Sequence, residues 1–173
     1  MSDKLPDLIS PLLFAERRAL LSGVIPLAAF PRLADSIAVG DGQVSVNAVF
    51  DKHGKRVLVT GDIKTTLSLQ CQTCLQIMDW PLDIVLNLAV VSSLQDAEAL
   101  CGEHEPLLLN GEKTSFYEMI EDEILLALPD FPRHDNECLA NNQSQSEDFS
   151  ELAAKNIADN PFLVLAKLKK TGD

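Results

Sequence analysis

Three stretches in which apolar and polar side chains alternate constrain the fold more than any other feature of the chain. Val44, Val46, Ala48 and Phe50 alternate with Ser45, Asn47 and Val49. Ile63, Thr65, Leu67, Leu69 and Cys71 alternate with Lys64, Thr66, Ser68 and Gln70. Trp80, Leu82, Ile84, Leu86, Leu88 and Val90 alternate with a set that includes Asp83 and Asn87. A period of two sends successive side chains to opposite faces, so each stretch predicts a half-buried strand. The turn cluster Asp51-Lys52-His53-Gly54 and a break at residues 72–79 leave only short connections, which predicts an antiparallel meander within residues 43–92. Gly61, inside the second stretch, is expected to mark a bulge or bend.

The remaining segments complete an α+β plan: an antiparallel sheet, one packed helix and a tethered short C-terminal helix. Residues 1–37 read as a mixed segment, with a helix over Leu12–Leu21 around Arg17 and Arg18 and a second over Leu27–Ile37 interrupted by Pro31. Residues 92–105 are polar and acidic, which predicts a loop, and Pro106–Leu109 a short strand. Ser115 followed by Glu118 is a capping box, and Tyr117, Ile120, Ile124, Ala127 and Leu128 continue at helical spacing. A helix over 115–128, ended by Pro129 and Pro132, follows. Residues 1–138 are expected to form one domain. Residues 139–160, rich in Asn, Gln and Ser, read as a flexible acidic linker. Asn160-Pro161 then opens a basic amphipathic helix over 161–173, with Phe162, Leu165 and Leu168 on one face and Lys167, Lys169 and Lys170 towards its end. No repeat of 20–50 residues is visible, which argues against a solenoid.

Charge limits the functional classes. The 26 acidic and 14 basic side chains give a net charge of −12, which argues against coating nucleic acid by bulk charge. The charge is unevenly placed: net +1 over residues 1–70, −15 over 71–160 and +2 over 161–173. That distribution reads either as separate surfaces for different partners or as a solvated acidic exterior. Seven Phe with one Trp and one Tyr do not indicate a stacking platform for single-stranded RNA. The first residues lack the apolar core of a signal peptide, and no run reaches the ~18 apolar residues of a membrane span. A soluble cytosolic protein is expected, with cysteines kept as thiols or metal ligands.

Cys71-Gln-Thr-Cys74 lies at the join between the second and third strands, where two thiolates on a tight turn can face one ion. His134 and Cys138 are the best candidates for the other two ligands of a tetrahedral zinc site. The intervening helix of about thirteen residues is roughly 20 Å long, enough to run along the sheet and return the chain to the cysteines. Other readings stay open. Cys71 and Cys74 can be reduced thiols, with Cys71 completing the strand's apolar face. They can be a redox pair, although strand-turn-strand is not the setting of thioredoxin-like motifs, or a partner can complete a metal site. Leu75 stands where a knuckle often has Gly. Cys101, His53 and His104 have no spacing that recruits them.

Glu118, Glu121, Asp122 and Glu123 can hold Mg²⁺ as in a nuclease, or can complement a helix dipole and solvate its outer face. With three His, no GxSxG and no Gly-rich phosphate loop, the sequence offers no recognisable catalytic set, and a non-enzyme is expected. The candidate partner-binding residues are Glu118, Glu121 and Asp122 on the acidic helix, and Phe162, Leu165, Lys167, Lys169 and Lys170 on the C-terminal tip. That tip can dock on a partner groove or on its own domain.

Four motifs in order carry a likeness: Gly61-Asp-Ile…Leu-Ser-Leu-Gln-Cys-Gln-Thr-Cys74, Glu121-Asp-Glu-Ile-Leu-Leu-Ala-Leu-Pro129, His134…Cys138 and Asn160-Pro-Phe162…Leu165-Ala-Lys-Leu168. Together the chain resembles the YceD family of bacteria and plastids, described as a large-ribosomal-RNA-subunit accumulation protein. The resemblance implies a role in accumulation of large-subunit ribosomal RNA and transfers no catalytic residues. Family members carry the paired cysteines that Cys71 and Cys74 match, and many have Cys or His where His134 and Cys138 stand. One mechanism is a non-enzymatic ribosome biogenesis factor. Its acidic half binds a ribosomal protein, a large-subunit assembly factor or a pre-ribosomal particle, while Arg17, Arg18, Lys52, Lys55 and Arg56, or the Lys167–Lys170 tip, approach ribosomal RNA. The alternative is a metal-dependent RNA-processing enzyme using the Glu118–Glu123 carboxylates.

Overall fold

The computed structural model describes residues 5–100, 102–109, 111–134 and 138. The predicted linker at 139–160 and the helix at 161–173, with Phe162, Leu165, Lys167, Lys169 and Lys170, lie outside the described residues.

In chain order the elements are β1 (Leu8–Ile9), α1 (Pro11–Glu16), β2 (Leu20–Pro26), two 3-10 turns (Leu27–Ala29 and Leu33–Asp35), β3 (Gln43–His53), β4 (Arg56–Gln70), β5 (Ile77–Val91), α2 (Leu94–Glu98), β6 (Glu105–Leu108), β7 (Thr114–Ser115) and α3 (Phe116–Leu126). The three alternating stretches become β3, β4 and β5, the centre of a five-stranded sheet in the order β2-β3-β4-β5-β6. The meander is antiparallel, as the short connections require. β6 instead runs parallel to β5, so the whole sheet is mixed. A parallel neighbour needs a crossover; residues 92–104 supply it, and α2 forms within that expected loop because Ser93 caps the Asp96 N–H at 3.1 Å.

Gly61 makes no bulge. Pairing runs without a break from Ser45–Lys64 to His53–Arg56 and from Val57–Val90 to Gln70–Ile77. Its φ is +156°, and a Cβ there would overlap the carbonyl oxygen of Asn47. The glycine thus lets β3 and β4 approach while the register is kept.

The N-terminal segment departs most from the sequence reading. The helix expected over Leu12–Leu21 stops at Glu16, and Leu20–Pro26 is an edge strand. Arg18 adopts φ 49°, and the Ala19 carbonyl accepts the Phe50 N–H at 2.9 Å, which draws the chain into the sheet. The helix expected over Leu27–Ile37 is two 3-10 turns separated by Phe30-Pro31-Arg32, since proline can neither donate nor continue a helix.

The structure has two layers. The inner sheet face presents Val44, Val46, Phe50, Val59, Ile63, Leu67 and Leu86, all at most 1% exposed. Phe14 of α1, Leu27 and Leu33 of the turns, Phe30 between them, and Phe116, Met119, Ile120 and Ile124 of α3 cover it. Burying each large apolar side chain stabilises by about 1.5–3 kcal/mol, so this interface holds the fold together. A smaller cluster of Leu58, Ala89, Val91 and Leu100 sits apart from it. β1 pairs with β7, placing Leu8 opposite Ser115. Ser115 caps α3 by accepting the Glu118 N–H at 3.1 Å, and its hydroxyl donates to Asp7 at 2.9 Å. No helix among the described residues is long and apolar enough to cross a membrane.

Candidate metal centre

The loop between Gln70 and Ile77 closes the β4–β5 hairpin. The Cys71 N–H donates to the Gln76 carbonyl and the Leu75 N–H to the Cys71 carbonyl, both at 2.9 Å. The Thr73 N–H points at the Cys71 sulfur at 3.4 Å. To turn this tightly, Leu75 takes a left-handed φ of 61° with its side chain 64% exposed. A leucine thus does what glycine does without a Cβ penalty.

Cys71 is buried and Cys74 half-buried. The Cys71 thiol is lowered from 9.0 to about 5, first by the backbone N–H of Cys74, with the Thr73 N–H and His134 also lowering it against the opposing effect of burial. N–H donors around a sulfur favour its thiolate, the form that binds metal.

α3 ends at Leu126, and the following chain returns to the hairpin. The Gln72 N–H donates to the Pro132 carbonyl at 2.8 Å, and His134 Nδ1 lies 3.5 Å from Cys74 Sγ. The ligand atoms of Cys71, Cys74, His134 and Cys138 all lie within 4.8 Å of one another. On a tetrahedral zinc with bonds of about 2.3 Å to sulfur and 2.0–2.1 Å to nitrogen, a sulfur and a nitrogen stand about 3.6 Å apart and two sulfurs about 3.8 Å. The Cys74–His134 spacing already matches, and the other donors have to close by about 1 Å at most. Three thiols and one imidazole form a closed donor set that could hold zinc.

The acidic residues of α3 do not converge. Glu121 is 2% exposed and accepts the Arg32 N–H at 2.7 Å, Arg32 Nε at 2.9 Å and the Leu33 N–H at 3.0 Å. It points inward, because it terminates the N–H groups that open the second 3-10 turn. Asp122 pairs with the same guanidinium at 2.7 Å, and Glu118 is exposed. Sequence reasoning missed this clamp. The available signal was position: Tyr117, Ile120, Glu121, Ile124 and Leu128 form one helical stripe, with an acid where an apolar residue is expected. Among the described residues, the Cys71–Cys74–His134–Cys138 quartet is the one convergent metal-ligating group.

Arg18, Lys52, Lys55 and Arg56 gather near the β3–β4 turn, where Arg18 Nε meets Asp51 at 3.3 Å. β4 starts there and ends at the cysteine loop, so about 45 Å of strand separates the basic end from the candidate metal centre.

The family described as "Large ribosomal RNA subunit accumulation protein YceD" matches residues 59–169. A Haemophilus influenzae protein named "Large ribosomal RNA subunit accumulation protein YceD" is 33% identical over 174 residues, covering 96% of this chain and 97% of that protein. No solved structure matches the chain. With the paired cysteines and the histidine inside the matched region, and a relative aligned over nearly the full length of both chains, this chain belongs to the YceD family.

Proposed function

We propose that the chain is a zinc-stapled binding protein of ribosome biogenesis. It supports accumulation of large-subunit ribosomal RNA in the cytoplasm by holding a ribosomal protein, a large-subunit assembly factor or a pre-ribosomal particle. Membership of the family carries this reading, since the relative aligned over 97% of its length is named for that role. The site favours a staple over a catalyst. Four protein donors on a four-coordinate zinc leave no position for water or substrate, and Glu121 and Asp122 are committed to Arg32.

Cys71 and Cys74 come from the hairpin, His134 and Cys138 from the chain beyond α3. Zinc bound there would supply structural cross-linking, fixing Cys74 to a residue 60 positions away. The basic end at Arg17, Arg18, Lys52, Lys55 and Arg56 and the tip at Lys167, Lys169 and Lys170 are the surfaces by which an acidic protein approaches RNA locally, because charge acts over only about 8 Å in physiological salt.

The test is complementation of a strain lacking the gene, reading the ratio of large- to small-subunit ribosomal RNA. Wild type and Glu118→Gln/Asp122→Asn are expected to restore the ratio, and Cys71→Ser/Cys74→Ser to fail. A folded carboxylate variant that loses the function would favour the RNA-processing alternative. Failure of the wild-type protein to retain any ribosomal protein or pre-ribosomal particle at moderate salt would overturn the binding mechanism.

A further inference from the structure

A groove of about 420 Å³ opens between α3 and the edge strand β6. Leu88, Leu107, Met119 and Leu125 form an apolar floor, and Leu126, 76% exposed, stands at its side. β6 pairs with β5 so that Glu105 lies opposite Leu88 and Leu107 opposite Val90. Residues two apart on a strand share a face, so Glu105 stands with Leu107 on the side that α3 covers. The carboxylates of Glu105, Asp122 and Glu123 border the groove. Asp122 is paired with Arg32 at 2.7 Å. Among the described residues, no Lys, Arg or His lies within ion-pair distance of Glu105 or Glu123.

We propose that this groove docks a basic amphipathic segment of a partner protein, with its apolar side chains on Leu107, Met119 and Leu126 and its Lys or Arg side chains against Glu105 and Glu123. The proposal deepens the binding-protein reading and rests on it for its biological setting, naming the chemistry of the partner and the place it binds. Charge complementarity carries it. An apolar trough bordered by Glu105 and Glu123, which have no ion-pair partner among the described residues, matches a segment carrying both features, the helix-in-groove mode of recognition. RNA phosphates would meet like charge at the same border. The Glu123 carboxyl is consistent with the geometry: burial first, then Glu105 and Asp122, push it up to about 7.

An inward-facing charge on an edge strand can also discourage edge-to-edge pairing, a role that needs no partner, and the experiment separates the two. The probe is a fluorescein-labelled synthetic amphipathic peptide of Leu, Ala, Lys and Arg, titrated into the full chain by anisotropy and mapped by amide chemical shifts. Binding is expected to perturb amides around Leu107 and Leu126 and to weaken with salt. It should weaken roughly tenfold in Glu105→Gln/Glu123→Gln and severalfold in Leu126→Ser. The glutamine variant relieves repulsion, so a thermal midpoint at or above that of wild type separates lost binding from lost folding. Absent binding, binding indifferent to these variants, shifts mapped elsewhere, or competition by an RNA oligonucleotide at the same amides overturns the proposal. Binding seen only after Lys167, Lys169 and Lys170 are changed to Glu would assign the groove to the chain's own tail and overturn it too. Wild type that restores ribosomal RNA in cells while the peptide fails would sink the groove and leave the broader function standing.

Discussion

Glu121 holds Arg32 twice, accepting its main-chain N–H at 2.7 Å and its guanidinium Nε at 2.9 Å, while Asp122 takes the outer edge of the same fork. The two carboxylates are neighbours in sequence and unequal in consequence. Glu121→Ala strands the part-buried N–H of Arg32 and the buried N–H of Leu33 and is expected to cost about 3 kcal/mol, lowering the thermal midpoint by about 6–12 °C. Asp122→Ala, at an exposed pair, should cost under about 1 kcal/mol. Equal losses in thermal denaturation would contradict this division.

Untagged protein purified without chelator is expected to carry about one zinc per chain by mass spectrometry, and Cys71→Ser/Cys74→Ser to carry none. Chelation should then lower stability in the wild type and leave the variant unchanged. A metal-free preparation with every thiol titratable would return Cys71 to the apolar face of β4.

Leu75 is strained by its own Cβ at φ 61° and buries little of its side chain. Leu75→Gly is expected to stabilise by about 1 kcal/mol, raising the denaturant midpoint without changing the slope. Leu75→Val, whose branched Cβ tolerates this region least, should do the reverse. A lower midpoint for the glycine variant would show that the leucine side chain has a role at the loop.

Glu123 sets a pH dependence. Its carboxyl sits at about 7 in the folded chain against an ordinary 4.5, raised by burial, by Glu105 across on β6 and by Asp122 beside it, which Arg32 partly neutralises. A raised folded-state value means the native state holds the proton more tightly. The stabilising contribution is therefore complete below the ordinary carboxyl range and is lost as pH rises through about 7. Urea denaturation of wild type and Glu123→Gln at about pH 5 and about pH 8 should show the variant gaining relative stability at the higher pH. A difference that does not change with pH would place the carboxylate in contact with water or a cation.

The central sheet was legible because β3, β4 and β5 each bury one face, and period two survives in their sequences. β2 was not, because the edge strand exposes Leu20 and Val24 on its outer face while burying Ile25 on the other. With apolar residues on both faces, the strand lacks period two, and Leu20 and Leu21 read as the end of the helix expected over Leu12–Leu21. The 3-10 turns and α2 are too short for any period to form. The candidate quartet was legible from donor chemistry and spacing: the fold brings Cys71 and Cys74 together with His134 and Cys138, the two pairs that the sequence singled out. Glu121 was misread as surface because its partner lies 89 positions away, and an acid on a helix is ordinarily solvated. The groove was invisible for a related reason: Glu105 and Glu123 become neighbours only when a four-residue strand settles against α3.

The pairing of β1 with β7 sets the order in which the chain can finish folding. Leu8 cannot find Ser115, nor Asp7 the Ser115 hydroxyl 108 positions away, until nearly everything between them is in place. Local hairpins such as β4–β5 can form early, since their ends are close along the chain, whereas a contact of that span must first overcome the entropy of a very long loop. The first strand is therefore the last to dock. Leu5 lies against Gly23 of β2, but its carbonyl gains the Tyr117 hydroxyl only once the chain has been made as far as α3.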